Sequence, residues 1–168
     1  MSPQTKQVDG PDLEHILDKH GRQQRHVLAM LHEIQNQTPQ NYIREKDLKE
    51  LAEALKMPYS NLHGVVTFYS MFSTKPRGKY IIRVCESGPC TLMGSDTVFE
   101  TLMEKLDIDL YQTTDDGLFT LEPSSCLGIC GVAPAMMVNQ ETFGNLTPDR
   151  IDEIITEYQT GEEEEINL

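Results

Sequence analysis

The chain has 168 residues, 38% of them hydrophobic, with four cysteines, no tryptophan and a formal net charge of −13. That length allows one full domain and a smaller appendage, and with no run of 18 apolar residues no direct membrane insertion is expected. The opening Met1-Ser-Pro-Gln-Thr-Lys-Gln7 lacks an apolar signal core, so a cytoplasmic setting with reduced thiols is expected.

Charge is unevenly spread. Residues 1–79 hold 11 Lys and Arg against 9 Asp and Glu, whereas residues 80–168 hold 3 against 18. The acidic half argues against nucleic-acid binding and suits docking onto a basic partner surface.

Residues 1–10 read as a disordered lead-in, and four helical patterns follow in residues 11–79. Leu13, Ile16 and Leu17 mark the first, stopped by Gly21. Val27, Leu28, Leu31 and Ile34 mark the second, stopped near Thr38-Pro39. Leu48, Leu51, Ala52 and Leu55 keep the i, i+3, i+4, i+7 spacing of a third, before Met57-Pro58. Leu62, Val65, Val66 and Tyr69 repeat it in a fourth, for which Ser60 is the expected cap. Ser60–Tyr69 contains no Lys or Arg, which makes it a poor DNA-recognition helix.

Lys75-Pro-Arg-Gly-Lys79 breaks the pattern and marks the domain junction. Tyr80–Cys85 then reads as a buried strand, and Gly94-Ser95 opens a helix with Val98, Phe99, Leu102, Met103 and Leu106 on its apolar face. Asp115-Asp-Gly117 is a turn signal between two expected strands, Leu110–Thr114 and Leu118–Glu122. Ala135–Asn139 and Thr142–Gly144 read as a hairpin. Thr147 caps a final helix with Pro148 at its first position, and Gly161 is expected to close it. Residues 161–168 read as an acidic tail. The order from residue 80 to 160 is that of a thioredoxin-like α/β domain, preceded by a small all-helical one. It contains no Cys-x-x-Cys, so that fold's usual thiol exchange is not expected.

The chemistry lies in Cys85-Glu-Ser-Gly-Pro-Cys90 and Cys126-Leu-Gly-Ile-Cys130, two pairs separated by thirty-five residues. Four thiolates suit zinc or an iron–sulfur cluster. The loops are wider than most zinc knuckles and fit a two-iron cluster better, because each iron takes two cysteines. Position 93 is Met, which excludes the plant-type ferredoxin spacing, and no His lies beyond residue 63, which excludes Rieske ligation. Spacing alone leaves zinc and a disulfide open. Gly88, Gly128 and Gly131 would let backbone N–H groups approach sulfur, with Leu127, Ile129 and Val132 excluding water.

Gly64-Val-Val-Thr-Phe-Tyr69, Pro76-Arg-Gly-Lys79, Cys85-x4-Cys90, Gly94-Ser95 and Cys126-Leu-Gly-Ile-Cys130-Gly-Val-Ala-Pro134 occur in this order. Together they resemble the small [2Fe-2S] subunit of NADH-oxidising flavoprotein complexes. That group includes the small peripheral-arm subunit of complex I. It also includes corresponding subunits of NAD(P)-linked hydrogenases, some electron-bifurcating, and of NAD-dependent formate dehydrogenases. The resemblance implies one [2Fe-2S] cluster on Cys85, Cys90, Cys126 and Cys130. It implies a helical part that packs on a flavin- and NAD(P)H-binding subunit, with further iron–sulfur subunits nearby. No nucleophile–base pair or dinucleotide motif is present, so the chain alone is expected to catalyse nothing. A structural zinc module and a free-standing ferredoxin are the rival expectations.

Overall fold

The computed structural model describes residues 10–166, with side chains through Gly161. These divide into two compact units, one ending at Arg77 and one beginning at Gly78.

The first unit is four helices: α1 (Leu13–Lys19), α2 (Val27–Gln37), α3 (Glu45–Ala54) and α4 (Tyr59–Phe68). The Asp12 carboxylate caps α1 by accepting the His15 N–H at 3.1 Å, and Gly21 turns the chain out of it at φ +63°. Helical spacing puts Ile16, Leu17, Met30, Leu31, Ile34, Leu48, Leu51, Leu62 and Val66 into one core. Ser60 does not cap α4. Pro58 holds the cap position and the helix starts at Tyr59, because the fixed φ of proline preorganises a first turn without a side-chain cap.

Buried polar groups tie the connections down. The Gln35 amide donates to the Met71 carbonyl at 3.0 Å and accepts the Ser73 N–H at 2.9 Å. Buried Arg77 reaches the Asn41 carbonyl through Nε at 2.9 Å and Nη2 at 2.7 Å. The Pro-Arg-Gly-Lys junction therefore ends the helical unit with a specific anchor.

The second unit is built on a four-stranded sheet of order β2-β1-β3-β4. The strands are β1 (Tyr80–Cys85), β2 (Phe119–Ser124), β3 (Met136–Val138) and β4 (Glu141–Phe143). β1 pairs with β2 in parallel; β1/β3 and β3/β4 are antiparallel. The crossover from β1 to β2 carries α5 (Gly88–Leu92) and α6 (Ser95–Leu106), and the chain ends in α7 (Pro148–Ile166). Strand alternation sends Ile82, Val84, Phe119, Leu121, Met136 and Val138 into a core with Val98 and Leu102 of α6 and Ile151, Ile154 and Ile155 of α7. Met136 is fully buried and its neighbour Met137 only partly, as pleating requires.

Three local expectations fail in this unit. Residues 110–114 form no strand: Tyr111 takes φ +64°, and only Thr113 bridges Thr120. The residues around Cys90 are helical, although the glycine and proline there signal only a loop. The last helix does not stop at Gly161 but runs to Ile166, since one glycine costs a helix about 1 kcal/mol and the glutamates beyond it favour helix.

Candidate functional site

Cys85 ends β1, with Ser124 opposite it at the end of β2. Its N–H donates to the Ala135 carbonyl at 3.0 Å, and the Glu86 N–H donates to the Ser124 carbonyl at 3.0 Å. The segments that flank the second cysteine pair thus hold the end of β1, one at Cys85 and the other at Glu86. α5 follows with Pro89 in its first turn, where no N–H is needed, and this turn carries Cys90 inward. Cys85 and Cys90 are 1% and 2% exposed, whereas Cys126 and Cys130 are exposed. In the second loop Gly128 adopts φ +79° and donates its N–H to Cys126 Sγ at 3.4 Å. A left-handed residue is needed there, and glycine takes that conformation without strain.

The thiols meet two by two. The Cys85 thiol is coupled to Cys90, and the Cys130 thiol to Cys126. The pairs also feel each other, since charge at Cys85 raises the Cys130 thiol and charge at Cys130 raises Cys90. Burial pushes Cys85 up, but N–H groups of Ser87 and Leu127 and the Cys90 thiol outweigh it, and the net direction is down. Burial first, then Cys85, pushes Cys90 up; Cys126 pushes Cys130 up. Among the described residues, no three His, Cys, Asp or Glu groups converge as a single metal ion requires.

The surroundings are apolar on one side. Ala133, Ala135, Leu127 and Ile129 pack with Cys85 and Cys90. Val132 does not join them. It is exposed and lies over Gly144, where an added Cβ would come within 2.4 Å of its Cγ2, and its carbonyl accepts the Asn145 N–H. Val132 therefore packs against the β4 turn rather than with Cys85 and Cys90. Gly88 and Gly131 have no left-handed φ, and a Cβ at either would meet nothing within 4 Å, so only Gly128 is required by its conformation.

Gly94-Ser95, read from the sequence as a helix start within the shared motif, lies near this end of the sheet. β1 and β2 are parallel and α6 lies between them in the chain, so the N-terminus of α6 lies at the edge where Cys85 ends. Ser95 starts that helix, is 1% exposed, and its hydroxyl is the one buried side-chain polar atom without a hydrogen-bond partner among the described residues. Two of the five histidines are engaged within the helical unit: His20 with Glu33 at 2.8 Å, and His32 tilted against Phe72 at a centroid distance of 4.8 Å.

The thioredoxin-like [2Fe-2S] ferredoxin family matches residues 13–159, which span both units and all four cysteines. The chain belongs to this family. Its cofactor is one [2Fe-2S] cluster. The ferredoxin is 35% identical over 133 residues to the HndA component of the NADP-reducing hydrogenase of Solidesulfovibrio fructosivorans, covering 79% of this chain and 77% of that one. It is 40% identical over 132 residues to a component of the NADH-quinone oxidoreductase of Aquifex aeolicus, covering 79% and 81%. Among solved structures it resembles an NAD+-reducing [NiFe]-hydrogenase, with a TM-score of 0.70 and 25% identity. That match takes in 81% of the ferredoxin but only 23% of the hydrogenase chain, a far longer polypeptide.

The donor set fits the cofactor. Four thiols in two mutually coupled pairs, backbone N–H groups that favour the Cys85 thiolate and an apolar wall on one side would suit an all-cysteine [2Fe-2S] cluster.

Proposed function

We propose that this ferredoxin is an electron-transfer subunit of an NAD(P)H-linked flavoprotein oxidoreductase complex, with Cys85, Cys90, Cys126 and Cys130 as the cluster ligands. The family match over residues 13–159, a stretch that holds all four cysteines of the chain, carries the assignment. When bound, the cluster supplies one-electron exchange. The chain's own residues hold its place and its dryness. Buried Cys85 and Cys90 anchor one side, exposed Cys126 and Cys130 present the other to the surface, and Leu127 and Ile129 exclude water between them. Low-dielectric walls and N–H donors of this kind set a cluster's potential.

The electron's source would be a flavin in a neighbouring NAD(P)H-binding subunit, with other iron–sulfur subunits in the same assembly and a cytoplasmic location. Among the described residues no helix is long and apolar enough to cross a membrane. Relatives named for a hydrogenase and for a quinone oxidoreductase support the complex in general terms. We favour a soluble hydrogenase or formate dehydrogenase assembly over complex I, on the resemblance of the Gly144-Asn-Leu-Thr-Pro148 segment.

Anaerobic isolation of the tagged chain from its native host tests this. A flavoprotein should co-elute, and NAD(P)H should bleach the visible absorption of the isolated complex. A colourless chain with stoichiometric zinc and no partner would overturn it.

A further inference from the structure

At the end of the sheet opposite Cys85, β1 begins with Tyr80 beside a cavity of about 290 Å³. Tyr80, Phe143 and Tyr158 line it, together with Glu141, Glu157 and Gly161. The rings form a corner. Tyr80 and Tyr158 meet edge-on at 4.7 Å between centroids, and Phe143 stands edge-on to Tyr158 at 6.5 Å. All three are half-buried against the main core, which fixes their faces. The Tyr158 hydroxyl donates to the Glu141 carboxylate at 2.9 Å, locking ring and acid together. Burial first, then Glu141, pushes the Tyr158 phenol up to about 12, so it stays a donor at physiological pH. Among the described residues, a Cβ at Gly161 would meet nothing within 4 Å.

Half-buried ring faces and two carboxylates are the groups that recognise an organic cation. One ring already does so within this chain: Lys79 Nζ lies 5.5 Å from the Tyr80 centroid. From residue 80 onward the chain holds 18 acidic against 3 basic residues, which would draw a basic surface towards it. We propose that this cavity receives an arginine side chain from a protein partner. The planar guanidinium stacks on an aromatic face while its fork of donors reaches the carboxylates, a combination that lysine's point charge matches less well. Tyr80 and Cys85 bound a six-residue strand, so the contact lies roughly 16 Å from the thiols along β1. It is an attachment point distinct from the electron's exit.

The test uses the oxidised, cluster-loaded protein and the peptide acetyl-Gly-Arg-Gly-amide, with acetyl-Gly-Gln-Gly-amide as control. Aromatic NMR resonances of Phe143 and Tyr158 are followed during titration. The arginine peptide should give saturable shifts there and the glutamine peptide none. The double variant Glu141→Gln, Glu157→Gln keeps the side-chain shape and should weaken binding by about tenfold or more. Equal shifts from both peptides, or undiminished binding by the double variant, would overturn the proposal. So would binding that appears only in Lys79→Met, which would mean that the chain's own ammonium fills the site.

Discussion

Single atoms decide much at the sheet edge that carries the cysteines. A buried hydroxyl without a partner costs about 1–3 kcal/mol, so Ser95→Ala should raise the melting temperature of the cluster-free chain. Calorimetry of the two apo proteins checks this, and a clear drop would show that Ser95 has a partner. Gly144 works by the opposite logic. An added Cβ would lie 2.7 Å from the Val132 carbonyl oxygen as well as against its side chain. Gly144→Ala should therefore destabilise by about 1–3 kcal/mol, and Val132→Ala should restore only part of the loss, because the backbone clash remains. The cysteines are legible in the sequence because sulfur chemistry dictates residue type and spacing. Which loop side chains face the sulfurs is not legible, because it depends on how the loop folds back. Hence an apolar Val132 reads as part of the wall, and Ser95 reads only as a helix start.

At the level of elements, legibility follows length. α2, α3, α4 and α6 repeat the apolar spacing for about two turns or more and can be read directly, while α1 shows it for one turn before Gly21. α5 has five residues and no complete period, and its Gly88-Pro89 start carries the same signal as a turn. The segment before Asp115-Asp-Gly117 has strand-like composition, but the left-handed Tyr111 breaks its extension. Where helices meet, charge adds a pH-dependent contribution. Glu33 of α2 accepts from Lys19 of α1 at 2.7 Å and from His20, and these partners hold its carboxyl below the usual range, Lys19 first. A lowered folded pKa gives stability that is present above the unfolded value near 4.5 and is lost as pH falls through the folded one. Urea denaturation at pH 7 and pH 3 should show Glu33→Gln losing less stability on acidification than the parent. For so accessible a pair the difference should be at most about 1 kcal/mol. Identical losses would mean that the pair contributes nothing.

For the molecule as a whole, the two units have separate cores: one is purely helical, and the other closes on a sheet whose edge holds all four thiols. A ligand that binds only the folded second unit should stabilise that unit alone. Removal of the cluster should therefore speed amide exchange at Ile82 and Val84 while leaving Leu31 and Leu51 unchanged. Uniform acceleration in both units would mean that they unfold as one. The charge contrast belongs to this scale too, because a near-neutral helical half and an acidic cluster half present different surfaces to an assembly.

Anaerobic native mass spectrometry of the loaded chain tests most directly whether Cys85, Cys90, Cys126 and Cys130 together hold one two-iron cluster. The expected result is one dominant species, heavier than the apo chain by two irons and two sulfides less the displaced thiol protons, and loss of that species in Cys85→Ala and in Cys130→Ala. A dominant adduct of one zinc ion, or a full cluster mass surviving in either variant, would contradict the proposed ligation.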